Sequence, residues 1–139
     1  MYLSKEPRRI NVGKLTDDAL VVIPSLIPST GCLSQWANRV IAEEKAYRAV
    51  NETDPERFAL LDVGPWCDGC IGAALMTTHV QSCGDRRTPV SAFFFDLHDW
   101  FVQVAFQRLK AFEVHNPKHA DGDSASGSLA TSGATASLN

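Results

Sequence analysis

The pentapeptide Trp66-Cys67-Asp68-Gly69-Cys70, with His79 and Cys83 close behind it, holds the side chains of this chain whose types and spacing can do chemistry. Two cysteines with two residues between them can share one ion or one disulfide, because a single turn carries both sulfurs to the same side. The pattern Cys67-x2-Cys70-x8-His79-x3-Cys83 supplies four soft or borderline ligands, the set that a structural zinc takes. Gly69 relieves the backbone crowding of such a turn. His79 and Cys83 are four apart and point the same way on a helix. The spacing also sets a condition. On one straight helix Cys70 and His79 would be ~13 Å apart, too far to share an ion. A zinc site on these four therefore needs a bend, for which Gly72 is the candidate.

Trp66-Cys67-x2-Cys70 also resembles the active-site Trp-Cys-x-x-Cys of the thioredoxin-like family, and Thr88-Pro89-Val90 resembles that family's cis-proline segment. The resemblance implies that Cys67 is an activated thiolate at a helix N-terminus and that Cys70 resolves the mixed disulfide. It covers only these two short stretches. Too few residues separate Cys70 from Pro89 for the helix, crossover and strand of that family. The segment before Trp66 carries helical start and stop signals instead of those of a buried parallel strand. The dithiol chemistry can nevertheless stand on another scaffold. A third reading needs no chemistry at all: free cysteine is a small apolar residue that is commonly buried.

Other reactive side chains have ordinary explanations. Cys32 follows Ser29-Thr30-Gly31 and precedes a helix, a placement that suits a nucleophile, but no base accompanies it and burial is favoured. His98 falls among Phe94, Phe101 and Ala105. It is expected to be satisfied by a carbonyl or an acid, with a role as ligand beside Cys83 or as general base as the sharper alternative. Arg108 on the same arc needs a carboxylate, for which Glu43, Glu44 and Asp62 are candidates. Asp96 and Asp99 read as a solvated face. There is no Gly-rich phosphate loop, Gly-x-Ser-x-Gly elbow or His-Glu-x-x-His.

The elements that must position these residues are mostly helical. Ser34 to Val50 repeats Trp36, Ala37, Val40, Ile41 and Tyr47 at spacings of three and four, with Ser34 as N-cap and Glu44–Arg48 and Arg39–Glu43 as i, i+4 ion pairs. Asp54-Pro55-Glu56 starts, and Gly64-Pro65 stops, a short helix with Phe58 and Leu61 facing inward. Ile71 to Gln81 is a third helix. Thr88-Pro89 opens the longest, to about Val114, with Asp96, Asp99, Gln103, Gln107 and Lys110 on one polar stripe and aromatic and aliphatic residues around most of the remainder. Between Ile10 and Ile27 helix and strand compete: Thr16-Asp17-Asp18 can cap a helix, while Val21-Val22-Ile23 suits a strand.

The 139 residues make one domain, with ordinary apolar (45%) and charged (21%) content. The expected architecture is mainly α, about four helices packed around a long central C-terminal helix. The alternative is α+β with a short N-terminal strand. Residues 1–14 form a basic arm (Lys5, Arg8, Arg9, Lys14) expected to be solvated, 15–117 the helical domain, and 118–139 a disordered Ala/Ser/Gly tail with too little to bury. A net charge of −3 gives no broad pull on nucleic acid. No run has the length of a membrane span and no secretory signal is evident, so the cytoplasm, where thiols stay reduced, is the expected compartment. The functional expectation is a non-catalytic protein-interaction or regulatory module, stabilised by zinc on Cys67, Cys70, His79 and Cys83, with another protein as partner. Seven Phe and three Trp leave enough aromatic surface for a partner-facing patch. The alternatives are a thiol-disulfide oxidoreductase using Cys67 and Cys70, and a purely structural helical domain.

Overall fold

The computed structural model describes residues 7–115, and side chains as far as residue 111. The elements run β1 (Arg8–Asn11), α1 (Asp17–Val22), a 3-10 turn (Ile23–Leu26), α2 (Cys32–Val50), β2 (Phe58–Leu61), α3 (Asp68–Gln81) and α4 (Pro89–His115). The fold is mainly α with one short two-stranded antiparallel sheet, in which Arg8 faces Leu61 and Asn11 faces Phe58. Lys5–Val102 forms one compact unit, and α4 from Gln103 onward belongs to a second. The disordered tail expected at 118–139 and the first residues of the basic arm lie outside the described residues.

Local signals explain most boundaries. Thr16 caps α1 by accepting the Ala19 N–H at 3.1 Å. Pro24, early in the 3-10 turn, ends the run after α1, so the helix wins over the strand at 17–22. Thr88 caps α4, its hydroxyl oxygen accepting the Ser91 N–H. The core of the compact unit joins Ile10, Leu20, Ile23, Trp36, Val40, Leu61, Ile71 and, from the first half of α4, Phe93, Phe94, Leu97 and Phe101. Trp36 stacks on Phe93 with ring centroids 6.4 Å apart, and its indole N–H donates to the Leu60 carbonyl at 2.9 Å, fastening α2 to β2.

A buried ion cluster closes the other side of α2. Glu44 is 0% exposed. Its Oε2 accepts from Arg48 at 2.8 Å and its Oε1 from Arg57 at 2.7 Å. Arg48 also donates to the Gly13 carbonyl at 3.1 Å and pairs with Asp17 at 3.0 Å. The hydrogen bond that Arg57 donates to Glu44, and then the charges of Glu44, Tyr47 and Asp54, outweigh burial and hold the Arg57 guanidinium above its ordinary value. A raised value of this kind contributes its stability throughout the neutral range and loses it only in strong alkali. Gly13 is required here: a Cβ on it would meet the Asp54 carbonyl oxygen and the Arg57 nitrogen, so only glycine lets the two chain segments touch.

Several expectations are corrected. The helix expected after Asp54-Pro55-Glu56 is instead a turn leading into β2. Asp54 Oδ1 accepts the Glu56 N–H at 2.9 Å and the Asp54 carbonyl accepts the Arg57 N–H at 3.1 Å, after which β1 offers the backbone partners that a short helix would have to find within itself. Leu61 faces the core as expected, but Phe58 is 43% exposed beneath the Arg9 guanidinium. The basic arm is not a free arm from Arg8 onward, because Arg8–Asn11 is a strand and Arg8 pairs with Asp96 at 2.8 Å and Asp99 at 3.2 Å. Those two acids therefore clamp a cation instead of lining a solvated face. Ser34 is not an N-cap: α2 begins at Cys32 after Gly31, and Ser34 is buried with its hydroxyl accepting from Asn38. The apolar arc of α4 is not buried throughout, since Phe95, Val102, Phe106 and Leu109 are exposed.

Glu44→Ala should destabilise the fold by about 3–5 kcal/mol, because Arg48 and Arg57 lose the charge they share, whereas Asp17→Ala on the exposed limb of the cluster should cost below about 1 kcal/mol. Urea unfolding of both variants checks the pair of values. Phe101→Ala, which empties a fully buried site in α4, should cost about 3–5 kcal/mol by the same measurement.

Candidate functional site

The cysteine pair sits where a tight turn feeds a helix. After β2, Asp62 Oδ1 accepts the Gly64 N–H at 3.0 Å and the Val63 carbonyl accepts the Trp66 N–H at 3.0 Å, which reverses the chain. Trp66 lies on Phe101 with ring centroids 5.5 Å apart, and this contact anchors the turn to the core. Cys67 follows in extended conformation (φ −74°, ψ 162°) as the N-cap of α3. Its Sγ accepts the Cys70 N–H at 3.3 Å, the bond that a serine or aspartate oxygen makes at most helix starts. Cys67 is exposed and Cys70 half-buried.

A second helix start meets the pair. Gly31 has φ 101°, in the region that favours glycine, and turns the chain into α2 so that Cys32 is its first residue. The Cys32 N–H donates to Cys70 Sγ at 3.4 Å. Cys32 and Cys70 line one small cleft with Ile27, Pro28, Gly31 and Thr77. Each sulfur of the pair thus accepts a backbone N–H, Cys67 from α3 and Cys70 from α2. All four cysteines of the chain are free thiols.

His79 and Cys83 lie at the far end of α3. Cys83 Sγ donates to the His79 carbonyl at 3.1 Å. The His79 ring packs on His98 of α4 at 5.4 Å between centroids. Thr78 Oγ1 lies 2.8 Å from the Ala74 carbonyl and 3.1 Å from His98 Nδ1, so the hydroxyl and the ring nitrogen share a hydrogen bond. This fits the expectation of a satisfied histidine, although the partner is a hydroxyl. α3 runs unbroken from Asp68 to Gln81, with no bend at Gly72. Among the described residues no three or more His, Cys, Asp or Glu side chains converge as a metal group. The structure therefore brings Cys67 and Cys70 together, and His79 near Cys83, without joining the two halves.

Among the described residues no peptide bond is cis, so Thr88-Pro89 acts as a helix start and not as a cis-proline segment. Both oxygens of Glu44, offered above as a partner for Arg108, are engaged by Arg48 and Arg57. The burial of Glu44 had a signal that went unused: it stands three and four residues beyond Ile41 and Val40 on the same apolar stripe. The approach of Cys32 to Cys70 had none, because it depends on how α2 and α3 pack. No family model, curated protein or solved structure matches this chain. No helix among the described residues is long and apolar enough to cross a membrane.

Limited alkylation with iodoacetamide, read by peptide mass mapping, should label Cys67 and Cys83 well before Cys32 and Cys70. Thr78→Val should cost about 1–3 kcal/mol in unfolding experiments, since it removes a buried hydroxyl and leaves the half-buried His98 Nδ1 without this partner.

Proposed function

We propose that the protein exchanges disulfides through Cys67 and Cys70. The observation that carries this reading is exposed Cys67 at the N-cap of α3, its sulfur receiving the N–H of half-buried Cys70 one turn on. The Cys67 thiolate attacks one sulfur of a substrate disulfide and releases the other half as a thiolate. Cys70 then attacks the Cys67 sulfur, closes Cys67–Cys70 and releases the second half. Two electrons pass from the dithiol to the substrate, and the two thiol protons go to solvent or to the departing thiolates. The backbone amides at the two sulfurs are in position before the exchange begins. The compartment proposed with this activity is the cytoplasm, where four free thiols stay reduced.

A second reading, a protein-interaction module, draws support from one outward strip of α3, where Met76 is 70% and Val80 62% exposed. Zinc on Cys67, Cys70, His79 and Cys83 remains a proposal under that reading and requires α3 to open between its two ends. Elemental analysis of the purified protein with a thiol count in denaturant separates the two: zinc at one per chain supports the module, and a reversible Cys67–Cys70 disulfide supports exchange.

Titration of the reduced protein with oxidised glutathione should produce the Cys67–Cys70 disulfide, detected by mapping unreduced peptides. Cys67→Ser should abolish exchange while circular dichroism stays unchanged. Cys70→Ser should accumulate glutathione on Cys67, because nothing resolves the mixed disulfide. Equal glutathione adducts on Cys67 and Cys83, with no internal disulfide, would overturn the reading.

A further inference from the structure

Cys70 is shared between two cysteines. Its N–H reaches the Cys67 sulfur, and its own sulfur lies 3.4 Å from the backbone nitrogen of Cys32, the first residue of α2. That nitrogen is one bond from the Cys32 Cα, and a disulfide joins residues whose Cα atoms are typically about 4.4–6.8 Å apart. The two residues are thus side by side, the first requirement for a disulfide between them. The two residues face one cleft whose other walls are apolar or small: Ile27, Pro28, Gly31, Leu33 and Ala74. Gly31 adds to the access, because even a Cβ there would stand 3.9 Å from the Cys70 sulfur. Cys83, at the other end of α3, has no such neighbour: its sulfur bonds the His79 carbonyl.

We infer that Cys32 is a third exchange thiol, which takes the disulfide from Cys67–Cys70 and stores it as Cys32–Cys70. The inference rests on the exchange reading for its first step. Once Cys67–Cys70 has formed, the Cys32 thiolate attacks the Cys70 sulfur. The Cys32–Cys70 bond forms, the Cys67–Cys70 bond breaks and Cys67 leaves as a thiolate. The Cys32 proton passes to solvent, from which Cys67 can recover one. No net oxidation occurs in this step. It moves the disulfide from the exposed turn into the cleft between α2 and α3, and it frees Cys67 to attack a second substrate disulfide. The protein would then hold one internal disulfide and still present a reactive thiol. The substrate class this fits is a small or peptidic disulfide that reaches Cys67 but not the cleft.

The test uses the full chain carrying Cys83→Ser, which removes the remote thiol, treated with oxidised glutathione and mapped without reduction. The parent is expected to form Cys67–Cys70 first and then Cys32–Cys70 with glutathione on Cys67. Cys67→Ser should form no Cys32–Cys70, since the relay starts from Cys67–Cys70, and Cys32→Ser should stop at Cys67–Cys70. Thermal melts of the reduced variants establish that each is folded before oxidation. If the folded parent closes Cys67–Cys70 but never forms Cys32–Cys70, the relay is wrong and the exchange reading stands. If Cys32→Ser fails to close Cys67–Cys70, the exchange reading and the relay fall together.

Discussion

Glu44 carries a charge that water does not reach, and the positions of three chain segments follow from how that charge is met. Leaving a carboxylate uncompensated in the interior is far more costly than the few kcal/mol that hold a domain of this size together. Arg48 answers it from one turn along α2, and Arg57 from the turn that leads into β2. Arg48 then reaches the carbonyls of Val12 and Gly13, just past β1. The helix, the end of the first strand and the approach to the second are thereby fixed around a single side chain. The bare backbone of Gly13 allows them to come that close.

The thiol site inherits its geometry from this arrangement. β2 leaves the sheet directly into the turn that carries Trp66 and Cys67, and α3 follows from Asp68. α2 is held near its end by Glu44 and along its length by Trp36, and its first residue, Cys32, reaches Cys70. Neither helix start alone would distinguish this site from ordinary capping. The two starts come together where the Cys32 N–H meets the Cys70 sulfur.

Much of the helical content was legible because the signals are local. The i, i+3, i+4 repeat through Trp36, Val40 and Ile41, the Thr16 cap and the Thr88-Pro89 start each act within a turn or two of chain. What was not legible depended on partners distant in sequence. Asp54-Pro55-Glu56 has the composition of a helix start, and only the presence of β1 makes the following residues extend. Arg8 looked like a solvated cation because its partners, Asp96 and Asp99, are 88 and 91 residues away. In the cysteine cluster, Cys67 and Cys70 share one turn, as their spacing implies, the Cys70 N–H reaching the Cys67 sulfur. The same spacing flagged that His79 would be out of reach on a straight helix, and α3 is unbroken there. Cys32 entered the site through helix packing, which no local pattern encodes.

The sheet has a consequence for how the chain assembles. β1 is made before its partner strand, which comes only after the whole of α2, and the acids that hold Arg8 come later still. Closing loops of that length is entropically unfavourable until other contacts have drawn the ends together. α2 and the turns beside it can form from local contacts alone. The N-terminal strand must wait with its backbone unpaired and Ile10 open to solvent. Its docking belongs to the last stage of folding, and a nascent chain released before α4 emerges would carry a loose hydrophobic edge of the kind that chaperones bind.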